Sequence, residues 1–150
     1  MGQPTPETYL NYGRGERFAN AEQFQTNVSA NYHLSNSLKS DEWSLGGNWK
    51  IGQESTLCAG NNSKLRIRFS GREVYLVMSG PTDAQVNVSV DGKPLSPTHL
   101  GGSDVNAGGT VILDGARLYK LVKSDKFLTD QLLTLTFQSG VTVNAFTFGG

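Results

Sequence analysis

From Lys64 onward, apolar residues return at every second position in one short run after another. Leu65, Ile67 and Phe69 alternate with Arg66, Arg68 and Ser70, and Val86, Val88 and Val90 alternate with Asn87, Ser89 and Asp91. Leu133, Leu135 and Phe137 alternate with Leu132, Thr134 and Thr136. A two-residue period sends successive side chains to opposite faces of a sheet, so these runs read as half-buried strands, not helices. A strand with one apolar face must cover it, and the economical solution is two sheets packed face to face. The chain therefore reads as all-β, with turn signals spaced as sandwiches and jelly rolls space them, about 8–12 residues apart.

The individual strands follow from turn chemistry. Trp43–Leu45 and Trp49–Ile51 flank Gly46-Gly47, a bulge or tight turn. Glu54–Ala59 is followed by a turn at Gly60-Asn61-Asn62. Lys64–Ser70 and Glu73–Met78 predict a hairpin through Gly71-Arg72, and Gln85–Val90 ends in Asp91-Gly92, a type I′ signal. The glycine- and proline-bearing stretch 93–109 reads as loop. Thr110–Leu113, Arg117–Val122, Leu132–Phe137 and Val141–Phe148 complete the strands, with one helical turn expected over Lys126–Gln131. Thr5-Pro6-Glu7 has the form of a helix start, predicting a short N-terminal helical turn that Gly13 and Gly15 would end. Residues 1–6 read as a linker, and residues 7–150 as a single β-sandwich domain.

Charge narrows the function classes. Lys plus Arg and Asp plus Glu both number 13, so no net field draws nucleic acid or an anionic membrane. No apolar run approaches the ~20 residues of a spanning helix, so direct membrane insertion is not expected. The chain opens without a secretory signal, as a cytosolic protein or a piece of a longer exported one would. A single cysteine, Cys58, leaves no internal disulfide and no C-x-x-C pair, and its apolar setting reads as a buried small hydrophobe.

No catalytic residues and no cofactor emerge. His33 and His99 lack a second ligand at metal-binding spacing, the carboxylates are scattered, and no Gly-x-Ser-x-Gly elbow presents a serine. The loop 101–109 offers Asp104 and Asn106, too few side chains to define a calcium site, and needs no ligand as a simple connection. Trp43, Trp49, Tyr75 and Tyr119 fall at strand positions. Such rings either fill a core or lie against the C–H face of a sugar.

Five segments taken together carry a resemblance: TPETYLNYGRGERF (Thr5 to Phe18), WSLGGNW (Trp43 to Trp49), VDG (Val90 to Gly92), RLYKLV (Arg117 to Val122) and NAFTFGG (Asn144 to Gly150). They resemble the C-terminal domain of DipZ-like proteins and of related exported thioredoxin-like (redoxin) proteins. In these bacterial envelope proteins an extracytoplasmic thioredoxin-like domain precedes the tail domain. The resemblance implies a jelly-roll β-sandwich of the galactose-binding-like kind, like a carbohydrate-binding module, with the redox cysteines upstream and an extracytoplasmic location. With that fold, the first expectation is a non-catalytic accessory domain that holds an envelope carbohydrate, touched by Trp43, Asp104, Arg117 and Tyr119, which lie near predicted loop ends. Between Leu100 and Arg117 the chain departs from the family pattern, where acidic residues are denser. The alternative is a structural domain that packs on the upstream thioredoxin-like domain through Tyr9, Tyr12, Arg14 and Arg17.

Overall fold

Two long antiparallel strands run through both layers of the computed structural model, which describes residues 2–150. They are β5 (Ser63–Ser79) and β9 (Arg117–Phe137), paired from Ser63↔Phe137 to Met78↔Arg117. In the first half of β5 the buried side chains are Leu65, Ile67 and Phe69, and in the second half Val74, Leu76 and Met78. The inward phase thus changes from odd to even residues between Phe69 and Val74, where the register with β9 also shifts. A bulge bends the strand and re-aims the side chains that follow it. Gly71 permits this one with φ 148°, and a Cβ there would lie 2.8 Å from the Gly149 carbonyl.

The remaining strands attach to the two halves. Beside the first half lie β3 (Trp43–Ile51) and, outside it, β2 (Ser29–Tyr32). Beyond the second half of β9 lies β6 (Gln85–Val90), which also pairs with β7 (Lys93–Pro94) and β8 (Thr110–Ile112). The second half of β5 pairs with β10 (Thr142–Gly149), whose far edge takes β1 (Thr8–Tyr9). A short strand, β4 (Thr56–Cys58), pairs with both β3 and β10. The apolar sets of both layers form one buried cluster, with Trp49 edge-on to Phe137 at 5.3 Å between centroids.

The all-β reading therefore stands, and four local expectations do not. No chain reversal occurs at Gly71-Arg72, because the residues flanking them belong to one bent strand. Lys126–Gln131 stays in β9 without a helical turn, since its backbone continues the ladder. The N-terminal helical turn is also absent: Thr8 and Tyr9 pair with Phe146 and Ala145 instead. A ladder against the open edge of β10 outweighs the local capping signal, and Leu10 is fully buried behind it. The sole helical element among the described residues is a 3-10 turn at Ala21–Gln23. Thr5, placed in the linker by sequence, is built into the sandwich. It is 3% exposed, its N–H donates to the Ser70 carbonyl at 2.9 Å, and its hydroxyl donates to Asp41 at 2.6 Å.

Candidate functional site

The register places one set of side chains on the outer face of the second layer. Tyr9, Ala145, Val77 and Leu118 stand in a row across β1, β10, β5 and β9. Thr147, Tyr75 and Lys120 form the next row, and Glu73 opposes Lys123 beyond it. Their neighbours Val74, Leu76 and Met78 point inward, so this row geometry is a direct product of strand alternation. Tyr75 is partly exposed, and its hydroxyl donates to the Glu73 carboxylate. Around it lies a basin of about 310 Å³ lined by Glu73, Tyr75, Ser103, Lys120 and Lys123.

One wall of the basin is the segment 100–105, which runs along the edge of β9. The Gly102 N–H donates to the Leu121 carbonyl at 2.8 Å, and the Lys123 N–H donates to the Leu100 carbonyl at 2.9 Å. A Cβ on Gly102 would lie 2.5 Å from the Lys120 carbonyl, so only glycine lets the two backbones come this close. Asp104 fastens the segment: its carboxylate accepts the Lys120 N–H at 2.7 Å and two Arg117 N–H groups at 3.0 and 3.2 Å. The Arg117 guanidinium in turn covers the Tyr119 ring at 3.9 Å. Partial burial pushes the Asp104 carboxyl up, but the Arg117 hydrogen bonds, the Lys120 N–H and both cationic charges prevail and hold it below its ordinary value.

Three residues predicted to touch ligand, Asp104, Arg117 and Tyr119, are thus brought together, though as a brace behind the basin wall. Tyr119 is completely buried, donates to the Gly115 carbonyl at 2.6 Å and offers no ring face to a sugar. Asn106, the other side chain considered for calcium, is likewise engaged, since its Oδ1 accepts from the Gly108 and Thr110 N–H groups. Trp43 lies elsewhere. It is 1% exposed, its indole N–H donates to the Glu16 carbonyl at 2.7 Å, and its ring packs on Phe18 at 4.4 Å. Inward alternation on β3 places it in the core, which corrects its expected role as a stacking platform.

The expected domain-interface residues divide in two. Arg14 is exposed and lies over the Tyr9 ring at 3.9 Å, beside a basin of about 520 Å³ that also touches Gln53, Glu54, Val77 and Asn144. Tyr9 and Arg14 therefore share the outer face with Tyr75. Arg17 is turned to internal work, donating to the Asp41 carbonyl at 3.3 Å and to the Thr8 hydroxyl at 3.2 Å. Tyr12 accepts a hydrogen bond from Asn27 at 3.1 Å. Glu73, Ser103 and Lys120 escaped the sequence reading. Alternation around Tyr75 marks Glu73 as outward-facing, but only the β5–β9 register and the course of the 100–105 segment reveal what stands beside it.

A family model described as the thioredoxin-like C-terminal domain matches residues 5–149, from the anchored Thr5 to the end of β10. The chain belongs to this family. Among relatives of this thioredoxin-like C-terminal domain are the Protein DipZ of Mycobacterium bovis and that of Mycobacterium tuberculosis. Each is 23% identical over 145 residues, covering 97% of this chain and 18% of the relative. The chain thus spans less than a fifth of the length of the curated relatives it matches. Among solved structures, a family two carbohydrate esterase from Cellvibrio japonicus is similar in fold, with a TM-score of 0.54 and 12% identity. The likeness covers 96% of this chain and 33% of that one. Among the described residues no helix is long and apolar enough to cross a membrane.

Proposed function

We propose that the protein is a non-catalytic, carbohydrate-binding accessory domain of an extracytoplasmic DipZ-like protein. In this reading the two layers form a jelly roll of the galactose-binding-like kind, and glycan lies on the outer face of β1, β10, β5 and β9. The observation that carries it is the basin at Tyr75. A partly exposed aromatic ring stands beside a carboxylate, two ammonium groups and a hydroxyl, from Glu73, Lys120, Lys123 and Ser103. An apolar ring face suits the C–H face of a pyranose, while surrounding donors and acceptors suit its hydroxyls. Val77 and Tyr9 continue the surface toward the second basin, giving an extended strip that fits a chain better than a single sugar. Calorimetric titration with a panel of envelope saccharides tests the proposal. Binding in the millimolar range or tighter, lost in Tyr75→Ala, is the expected result, and silence across the panel would count against it.

The exposed Arg14–Tyr9 stack favours a second reading, in which this face packs on the thioredoxin-like domain upstream. Pairing the isolated domain with that upstream domain in solution separates the two. Arg14→Glu should weaken docking under the second reading and leave glycan binding at Tyr75 intact under the first.

A further inference from the structure

The opposite outer face, on the first layer, holds a second set of polar groups with a different hydrogen-bonding character. Lys64, Arg66 and Arg68 stand at alternate outward positions of β5. Register places Lys64, Thr136, Asn87 and Thr110 in one row, and Arg66, Thr134, Ser89 and Pro94 in the next. The Lys64 ammonium donates to Thr136 Oγ1 and Arg66 Nε donates to Thr134 Oγ1, both at 2.9 Å. Among the described residues neither cation has a carboxylate within ion-pair distance; the ion pairs are Arg17–Glu16 and Arg117–Asp104.

A threonine oxygen that accepts from a cation keeps its own proton to give elsewhere. The Thr134 and Thr136 protons have no acceptor among the hydrogen bonds of the described residues. Asn87 is biased the same way: its carbonyl oxygen accepts from Thr110 at 2.8 Å, which leaves the exposed NH₂ free to donate. These groups, with Ser89, Pro94 and Gly108, line a recess of about 340 Å³ that contains no carboxylate. Its side chains are thus biased toward donating, and behind them stand two cations that no carboxylate neutralises, although Arg66 also donates to the Ser35 carbonyl and Asn36. That is the complement of a negatively charged oxygen.

We infer that this recess binds an oxyanion, a carboxylate or phosphate carried by a small molecule or a polymer. It lies on a different face from the Tyr75 basin and does not depend on glycan binding there. Thr134 and Thr136 act as polarised donors, Asn87 as the neutral third donor, and Lys64 and Arg66 as charges held one bond behind.

The test is a titration of the ¹⁵N-labelled protein with inorganic phosphate, with galacturonate and with neutral galactose, at ionic strength held constant by chloride. Saturable shifts at the amides of Asn87, Ser89, Thr134 and Thr136 are expected with an anion and not with galactose. A response to phosphate alone, or to galacturonate alone, supports the site and tells which group it takes. Thr134→Val with Thr136→Val keeps the β-branched shape and should weaken binding about tenfold or more. Asn87→Asp changes one exposed side chain, leaves the sheet intact and should abolish the shifts by repulsion. Shifts that fail to saturate, that galactose reproduces, or that survive unchanged in Asn87→Asp would overturn the inference.

Discussion

Protonating Asp104 would leave the Arg117 guanidinium and the Lys120 N–H without their charged acceptor, and would loosen the segment that walls the Tyr75 basin. Because the folded carboxyl titrates below its ordinary value, its contribution is whole above the unfolded value of about 3.9 and is lost as pH falls through the folded one. The pair is partly exposed, with Arg117 at 41%, so Asp104→Asn should cost at most about 1 kcal/mol near neutral pH. Urea midpoints of the two proteins should converge as the solution is acidified, and a gap that persists in acid would refute this role. Trp43 makes the opposite case. Its buried ring and satisfied indole N–H predict that Trp43→Ala costs about 3–5 kcal/mol, measured by the same denaturation. Burial pushes the Cys58 thiol up, outweighing the smaller opposing effects of its hydrogen-bonding neighbours Gly60 and Ser63. The folded protein should therefore resist thiol reagents until denatured. It should also lose stability as pH rises past about 8.5, where only the unfolded thiol ionises.

Long bent strands decide the arrangement of elements, and here sequence reading stops short for a physical reason. Gly71-Arg72 carries the composition of a turn, and a glycine at positive φ serves a turn and a bulge equally well. The inward phase of Leu65, Ile67 and Phe69 and that of Val74, Leu76 and Met78 were both legible, but only the pairing with β9 shows them to be one strand. Likewise the capping signal at Thr5 is local, whereas the edge of β10 that claims Thr8 and Tyr9 lies more than a hundred residues away. Gly71→Val should destabilise by more than about 1 kcal/mol although valine favours strands, because the required φ and the Gly149 carbonyl both exclude a side chain. A urea midpoint equal to that of the parent protein would contradict the bend. At the candidate site the same limit applied: Asp104, Arg117 and Tyr119 were legible as a group of interest, but their role as a brace depends on a loop course that no periodicity encodes.

For the whole molecule, the arrangement separates three regions. The core holds both tryptophans and the cysteine, the outer face of the second layer carries Tyr9 and Tyr75, and the outer face of the first carries the donor-lined recess. The central claim is that glycan meets the partly exposed tyrosines of one sheet face and never the buried rings. Chemical-shift mapping of the ¹⁵N-labelled protein with an envelope oligosaccharide at millimolar concentration tests it most directly. Shifts should cluster at Tyr9, Glu73, Tyr75, Val77, Ser103 and Lys120, while both indole N–H signals stay in place. Indole shifts with a silent Tyr75 face would contradict the account.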